Sequence, residues 1–115
     1  MSAQPLCHLE ELANPGSRDI SIAGETCFIV RRGQALFVYH NRCPHTGAPL
    51  NLLPDRFLDY DSQYIQCSTH GALFEIDSGK CIAGPCAGQF LQSMPCHIEN
   101  GALYLRGERT TGDIE

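Results

Sequence analysis

Cys43-Pro44-His45-Thr46-Gly47-Ala48-Pro49-Leu50 and Cys67-Ser68-Thr69-His70-Gly71-Ala72-Leu73-Phe74 are the two stretches that decide how this chain is read. Each opens on a cysteine, carries one histidine and runs into Gly-Ala; 21 residues separate His45 from Cys67. Two thiolates and two imidazoles can hold tetrahedral zinc or a mixed-ligand iron–sulfur centre. A zinc finger usually pairs its cysteines in one knuckle and its histidines on a helix. Here each segment mixes the two ligand types. Gly47 and Gly71 let the backbone turn tightly and approach an inorganic centre.

The flanks of both segments are strand-like. Tyr64-Ile65-Gln66 leads into Cys67, and Leu73-Phe74-Glu75-Ile76 leaves the second segment, closed by the turn Asp77-Ser78-Gly79. Lys80-Cys81-Ile82 is a further short strand ending at Gly84-Pro85. Upstream, Asp19–Ile22, Thr26–Val30 and Ala35–Tyr39 form a meander broken at Ala23-Gly24-Glu25 and Arg32-Gly33-Gln34. Downstream, His97–Glu99 and Ala102–Leu105 flank Asn100-Gly101, a strong two-residue hairpin signal. Leu9–Leu12 suits one helical turn closed by Asn14-Pro15-Gly16, and the polar tail from Gly107 is expected to fray. The expected architecture is all-β, a single domain over 1–115 with an irregular segment, about 41–86, set into it.

Composition narrows the function. The 115 residues carry a net charge of −5, without the basic stripe of a nucleic-acid binder. Such a surface suits a docking partner with a basic patch. The longest apolar run, Ala35–Tyr39, is far short of a membrane span. Met1-Ser2-Ala3-Gln4-Pro5 has no positive n-region, so no signal peptide is expected. Seven cysteines, an odd number, do not fit a simple secreted disulfide framework, and a reducing cytoplasm is the expected location. No nucleophile–base pair and no Gly-rich phosphate loop stands out.

C-x-H with C-x₂-H is the pattern in which two cysteines bind one iron and two histidines the other. Segments 43–50 and 67–74 resemble the two cluster loops of Rieske proteins. Asp77-Ser78-Gly79-Lys80 and Gly84-Pro85 resemble the turn and the third, proline-containing loop beside the cluster, and the meander and final hairpin resemble the family's base domain. The likeness covers nearly the whole chain. It implies an antiparallel β-sandwich with an inserted cluster-binding subdomain and one [2Fe–2S] cluster per chain. Cys43 and Cys67 would bind the inner iron, and His45 and His70 the outer iron with their ring edges near the surface. The segment Leu52–Asp61 makes the spacer longer than in typical dioxygenase ferredoxins.

The implied role is a soluble one-electron carrier, taking electrons from a flavin or iron–sulfur reductase and passing them to a terminal oxygenase. A small subunit of a larger, nitrite-reductase-like enzyme is the alternative, and a zinc-stabilised interaction module without redox chemistry is a third. A fully ligated cluster leaves no open position for substrate, so a carrier is expected and not an enzyme. High-potential relatives add a disulfide between the cluster loops and hydroxyl donors to the cluster sulfurs. The matching positions here are Ala48 and Thr69 for the disulfide, and Ala72 and Phe74 for the hydroxyls.

The remaining candidates have plainer readings. Cys7, Cys27, Cys81, Cys86 and Cys96 read as small apolar residues in or near strands; Cys86 follows Gly84-Pro85 near the expected cluster, and a redox role for this lone thiol is the sharper reading. His8, His40 and His97 lack partner spacing and read as exposed or satisfied. Asp55, Asp59 and Asp61 read as a solvated loop, or more sharply as a docking patch. Arg31-Arg32 reads as the solvated end of a strand.

Overall fold

Cys27-Phe28-Ile29-Val30 is apolar on both alternating faces, the pattern of a strand covered from two sides. The computed structural model describes residues 5–44, 47–51, 53–68 and 71–105. In it, these four residues are fully buried in β3 (Glu25–Arg32). β3 is the centre of an antiparallel meander between β2 (Gly16–Ile22) and β4 (Ala35–His40). Ala23 and Gly24 connect β2 to β3 with φ of 52° and 83°, so both turn residues adopt the left-handed torsion that a tight hairpin requires.

Two further three-stranded antiparallel sheets cover the meander. One contains β1 (Cys7–His8), β8 (Cys96–Glu99) and β9 (Ala102–Leu105), in the order β1-β9-β8. The other lies within the inserted segment and contains β5 (Tyr64–Gln66), β6 (Leu73–Glu75) and β7 (Cys81–Ala83), in chain order. Alternation sorts the meander's side chains between two cores. Cys27, Ile29, Ile22 and Val38 pack with Cys7, Leu12 and Leu103. Phe28, Val30 and Tyr39 pack with Leu50, Phe57, Ile65, Phe74 and Ile76. The expected antiparallel all-β fold is present, and the middle sheet serves both the base and the inserted segment. Among the described residues the helical turn is a 3₁₀ turn, Leu9–Glu11, and no helix is long and apolar enough to cross a membrane.

The spacer is exposed along most of its length, as expected of a solvated loop, but it is also anchored. Asp19 N–H donates to Asp55 Oδ1 at 2.8 Å, and Asp55 N–H donates back to Asp19 Oδ2 at 2.7 Å. Ser17 Oγ donates to the Asp55 carbonyl at 2.8 Å. These bonds deliver Phe57 into the core, where its ring stacks on Phe28 with centroids 4.3 Å apart. Asp59 is also used internally: its Oδ1 accepts from the Gln63 and Tyr64 N–H groups at 2.9 and 3.1 Å. Arg31 likewise departs from expectation. Its guanidinium donates to the Leu9 and Leu12 carbonyls, both at 3.0 Å, and holds the 3₁₀ turn against β3. The tail expected to fray lies outside the described residues.

Candidate metal centre

The two cysteine segments fold into the same loop. Cys43 N–H donates to the Ala48 carbonyl at 2.8 Å, and Gly47 N–H donates to the Cys43 carbonyl at 2.7 Å. In the second loop, Cys67 N–H donates to the Ala72 carbonyl at 2.9 Å, and Gly71 N–H donates to the Cys67 carbonyl at 2.8 Å. Gly47 and Gly71 have φ of 80° and 71°. Both values lie in the left-handed region, the torsion that lets each loop turn back on its cysteine.

The loops are joined to one another. Ser68 N–H donates to the Leu50 carbonyl at 2.7 Å. Leu50 N–H in turn donates at 2.7 Å to Oδ1 of the buried Asn41. Cys43 and Cys67 are therefore carried by linked, hydrogen-bonded loops, and both are buried in the core that includes Leu50, Ala72 and Phe74. A lone buried thiolate is costly in such surroundings. Coordination to a metal cation both favours the deprotonated sulfur and supplies the charge that offsets it. The pair thus fits a metal or iron–sulfur group held by thiolates. The other two expected ligands, His45 and His70, lie outside the described residues. The described residues alone form no group of three or more metal-ligating side chains.

The third loop closes on the second, and here the structure adds a pairing of Cys81 with Cys86 that the sequence reading did not make. Cys86 Sγ donates to Cys81 Sγ at 3.0 Å, and Cys81 Sγ donates to the Ala83 carbonyl at 3.2 Å. Burial, reinforced by the neighbouring Cys81 sulfur, pushes the Cys86 thiol up to about 12. Between the cysteines, Gly84 (φ 104°) brings its backbone onto the second loop: a Cβ there would stand 2.9 Å from both Cα and Cβ of Ala72. The available signal was the C-x₄-C spacing around Gly-Pro.

The other cysteines and histidines fall away from this centre. Cys7 and Cys27 sit in the opposite core, and burial pushes both thiols up. His8, His40 and His97 stand 3.5, 3.7 and 3.7 Å from Glu11, Glu25 and Glu99. Asp61 is exposed.

Comparison with known proteins points the same way. The family model of the Rieske [2Fe-2S] domain matches residues 2–97. The chain is 27% identical to the 3-phenylpropionate/cinnamic acid dioxygenase ferredoxin subunit of Photorhabdus laumondii, over 91% of this chain and 94% of that one. It is 30% identical to cholesterol 7-desaturase of Caenorhabditis elegans over 87% of this chain, but spans only 24% of that longer protein. Among solved structures, the ferredoxin of carbazole 1,9a-dioxygenase from Nocardioides aromaticivorans superposes with a TM-score of 0.73 at 19% identity, covering 91% of this chain and 97% of that one. A complex of reduced oxygenase and oxidized ferredoxin in carbazole 1,9a-dioxygenase matches with a TM-score of 0.71 at 20% identity, covering 90% and 92%.

Proposed function

This chain belongs to the Rieske [2Fe–2S] domain family, and we propose that Cys43, His45, Cys67 and His70 hold its cluster and that the protein carries single electrons from a reductase to an oxygenase. The observation that supports this most directly is the repeated loop. The same backbone closure presents a buried cysteine from each of two linked segments, and each segment places one histidine between that cysteine and its turning glycine.

A [2Fe–2S] group bound by two thiolates and two neutral imidazoles is uncharged when oxidised and gains a single negative charge on reduction, two fewer than an all-thiolate site, which eases reduction. The chain's own part is to fix the thiolates. Closing bonds at Ala48 and Ala72 hold the ends of the two loops, and Leu50, Ala72 and Phe74 keep water from the sulfurs. The related ferredoxin subunit of a dioxygenase matches 91% of this chain over 94% of its own length, which supports a carrier working beside a separate oxygenase. The net charge of −5 suits partners that present basic docking surfaces.

Protein purified anaerobically should contain two irons and two acid-labile sulfides per chain. Cys43→Ser and Cys67→Ser should each abolish the cluster and destabilise the fold, since ligand binding energy is also folding energy. Stoichiometric zinc without iron would overturn the proposal, as would full retention of the cluster in either variant.

A further inference from the structure

Asn41 is a side-chain amide in a buried position, 8% exposed, and nothing in the electron-carrier reading uses it. It stands two residues before Cys43, where β4 has ended and the first cysteine loop begins. Its N–H donates to the Thr26 carbonyl of β3 at 2.9 Å, so its backbone is seated on the central sheet. Its carboxamide is committed at both ends. Oδ1 accepts the Leu50 N–H at 2.7 Å, and Nδ2 donates to Asn51 Oδ1 at 3.0 Å. Asn51 Nδ2 in turn donates to the Leu53 carbonyl at 3.0 Å and to Asp19 Oδ2 at 3.3 Å, the oxygen that also accepts the Asp55 N–H.

Leu50 is where these bonds meet the second loop. Its N–H is held by Asn41, and its carbonyl accepts the N–H of Ser68, the residue after Cys67, at 2.7 Å. We propose that Asn41 is a positioning residue for the cluster: its carboxamide fixes the backbone of Leu50, and through Leu50 the spacing between the loops that carry Cys43 and Cys67. The proposal rests on the ligand assignment above. Leu50 is fully buried, so its N–H must find an acceptor in the protein. Only the oxygen end of a carboxamide can accept, and Asn51 engages the nitrogen end, so the amide is oriented from both sides.

An electron carrier gains from groups whose geometry is set before the charge arrives. Without Asn41, each loop keeps its own closing bond, at Ala48 or Ala72, but the joint between the loops loses its support. The two thiolates then take up a range of separations. A cluster held in a range of geometries has a spread of g values, and the EPR lines of its reduced state broaden.

The experiment compares cluster-loaded wild type, Asn41→Ala and Asn41→Asp by EPR of the reduced protein and by hydrogen exchange read to single amides, with iron and sulfide measured on each. Asn41→Ala should keep its cluster and show broadened EPR lines. Exchange at Leu50 and Ser68 should quicken about tenfold beyond any change at Ile29 and Val30 of β3, the effect of one lost bond to a buried N–H. Asn41→Asp keeps an oxygen facing Leu50 and should restore narrow lines and slow exchange.

Unbroadened lines in Asn41→Ala overturn the proposal. So does exchange that quickens equally at Ile29 and Val30, which marks a loss of stability shared by the whole fold, and so does an Asn41→Asp protein indistinguishable from Asn41→Ala. Should Asn41→Ala not fold, Asn51→Ala takes its place. That variant leaves Oδ1 of Asn41 present but frees the nitrogen end, so exchange at Leu50 and Ser68 should again quicken, and unchanged rates there refute the proposal. Wild type with two irons and two sulfides but unmoved lines in Asn41→Ala sinks this inference alone. Wild type without that cluster refutes the ligand assignment, and this proposal with it.

Discussion

Gly84→Ala is the substitution for which the structure gives the clearest magnitude. The glycine has φ of 104°, and a Cβ would lie 2.9 Å from both Cα and Cβ of Ala72. Two costs arise. Holding a non-glycine residue in that region costs about 1–3 kcal/mol, and forcing an extra carbon into packed surroundings costs about 1–3 kcal/mol more. Alanine's stiffer unfolded chain returns about 0.4–1 kcal/mol. The net loss is about 1–5 kcal/mol, centred near 3, and it cannot be relieved by a side-chain rotation because the atoms struck include the backbone of the second cysteine loop. Gly33→Ala is the control. It also requires a positive φ, 66°, but its Cβ would meet nothing within 4 Å. Its cost is therefore strain alone, about 1 kcal/mol net. At about 4 °C per kcal/mol for a chain of this size, Gly84→Ala should melt roughly 10 °C below wild type and Gly33→Ala roughly 4 °C below. Thermal unfolding of cluster-loaded protein at one scan rate, followed by far-UV circular dichroism and by visible absorbance, tests this. In Gly84→Ala the visible colour should fade no later than the far-UV signal. Equal shifts for the two variants would refute the claim that the third loop bears on Ala72.

Tyr39 donates its hydroxyl to the buried Ile76 carbonyl at 2.6 Å, so Tyr39→Phe strands that carbonyl and should cost about 1–3 kcal/mol in urea unfolding at pH 8. Burial, with Asp77 nearby, raises the Tyr39 phenol from 10.0 to about 12. The unfolded chain thus ionises first, and the stabilisation is complete below pH 10 and lost as pH climbs through 12. The gap between wild type and Tyr39→Phe should narrow between pH 10 and 12, by up to about 3 kcal/mol, and a constant gap would count against the assignment. Phe57→Ala removes a fully buried ring stacked on Phe28 and should cost about 3–5 kcal/mol. It should also open residues 53–63 to limited proteolysis, and a spacer equally resistant in the variant would show that Phe57 does not anchor it.

Strands with a strong local signature were legible in the sequence. Tyr64–Gln66 is set off by the polar run Asp61-Ser62-Gln63 before it and Cys67 after it, and Ala102–Leu105 starts at the Asn100-Gly101 turn. The cysteine loops were legible because their chemistry is repeated, so each supports the reading of the other. What escaped is non-local. β1 is two residues long and exists by pairing with β9, nearly a hundred residues away, so its neighbours in sequence give no sign of it. The bond between Asp19 and Asp55 joins residues 36 apart. An aspartate bound for a backbone N–H looks in sequence like one bound for water. Arg31 was misjudged for the same reason, since its three acceptors are backbone carbonyls, which leave no trace in the sequence. Cys81 and Cys86 fell between these cases: their spacing was visible, but their apposition depends on the irregular register of β6 with β7 and on the turn at Gly84.

The layering explains why one small chain can combine a stable fold with a chamber for an inorganic group. β3 is buried on both faces, so it couples the base to the inserted segment through alternate side chains of a single strand. Phe28 points into the chamber's side and receives Phe57 from the spacer, while the adjacent Ile29 belongs to the opposite core. Tyr39, on the neighbouring strand, reaches across to Ile76 at the end of β6. The floor beneath the cysteine loops is therefore built from the most buried part of the domain, and the loops above it need only short hydrogen-bonded turns to hold their shape. An electron carrier benefits from that division. Added charge is met by groups already fixed in place, so little of the protein must rearrange when the charge arrives or leaves. On this view damage to the floor, as in Phe57→Ala, acts first on global stability. Damage to the third loop, as in Gly84→Ala, presses on Ala72 and so on the loop that carries Cys67, and comparing these two variants by urea midpoint and by visible absorbance separates the two layers of the design.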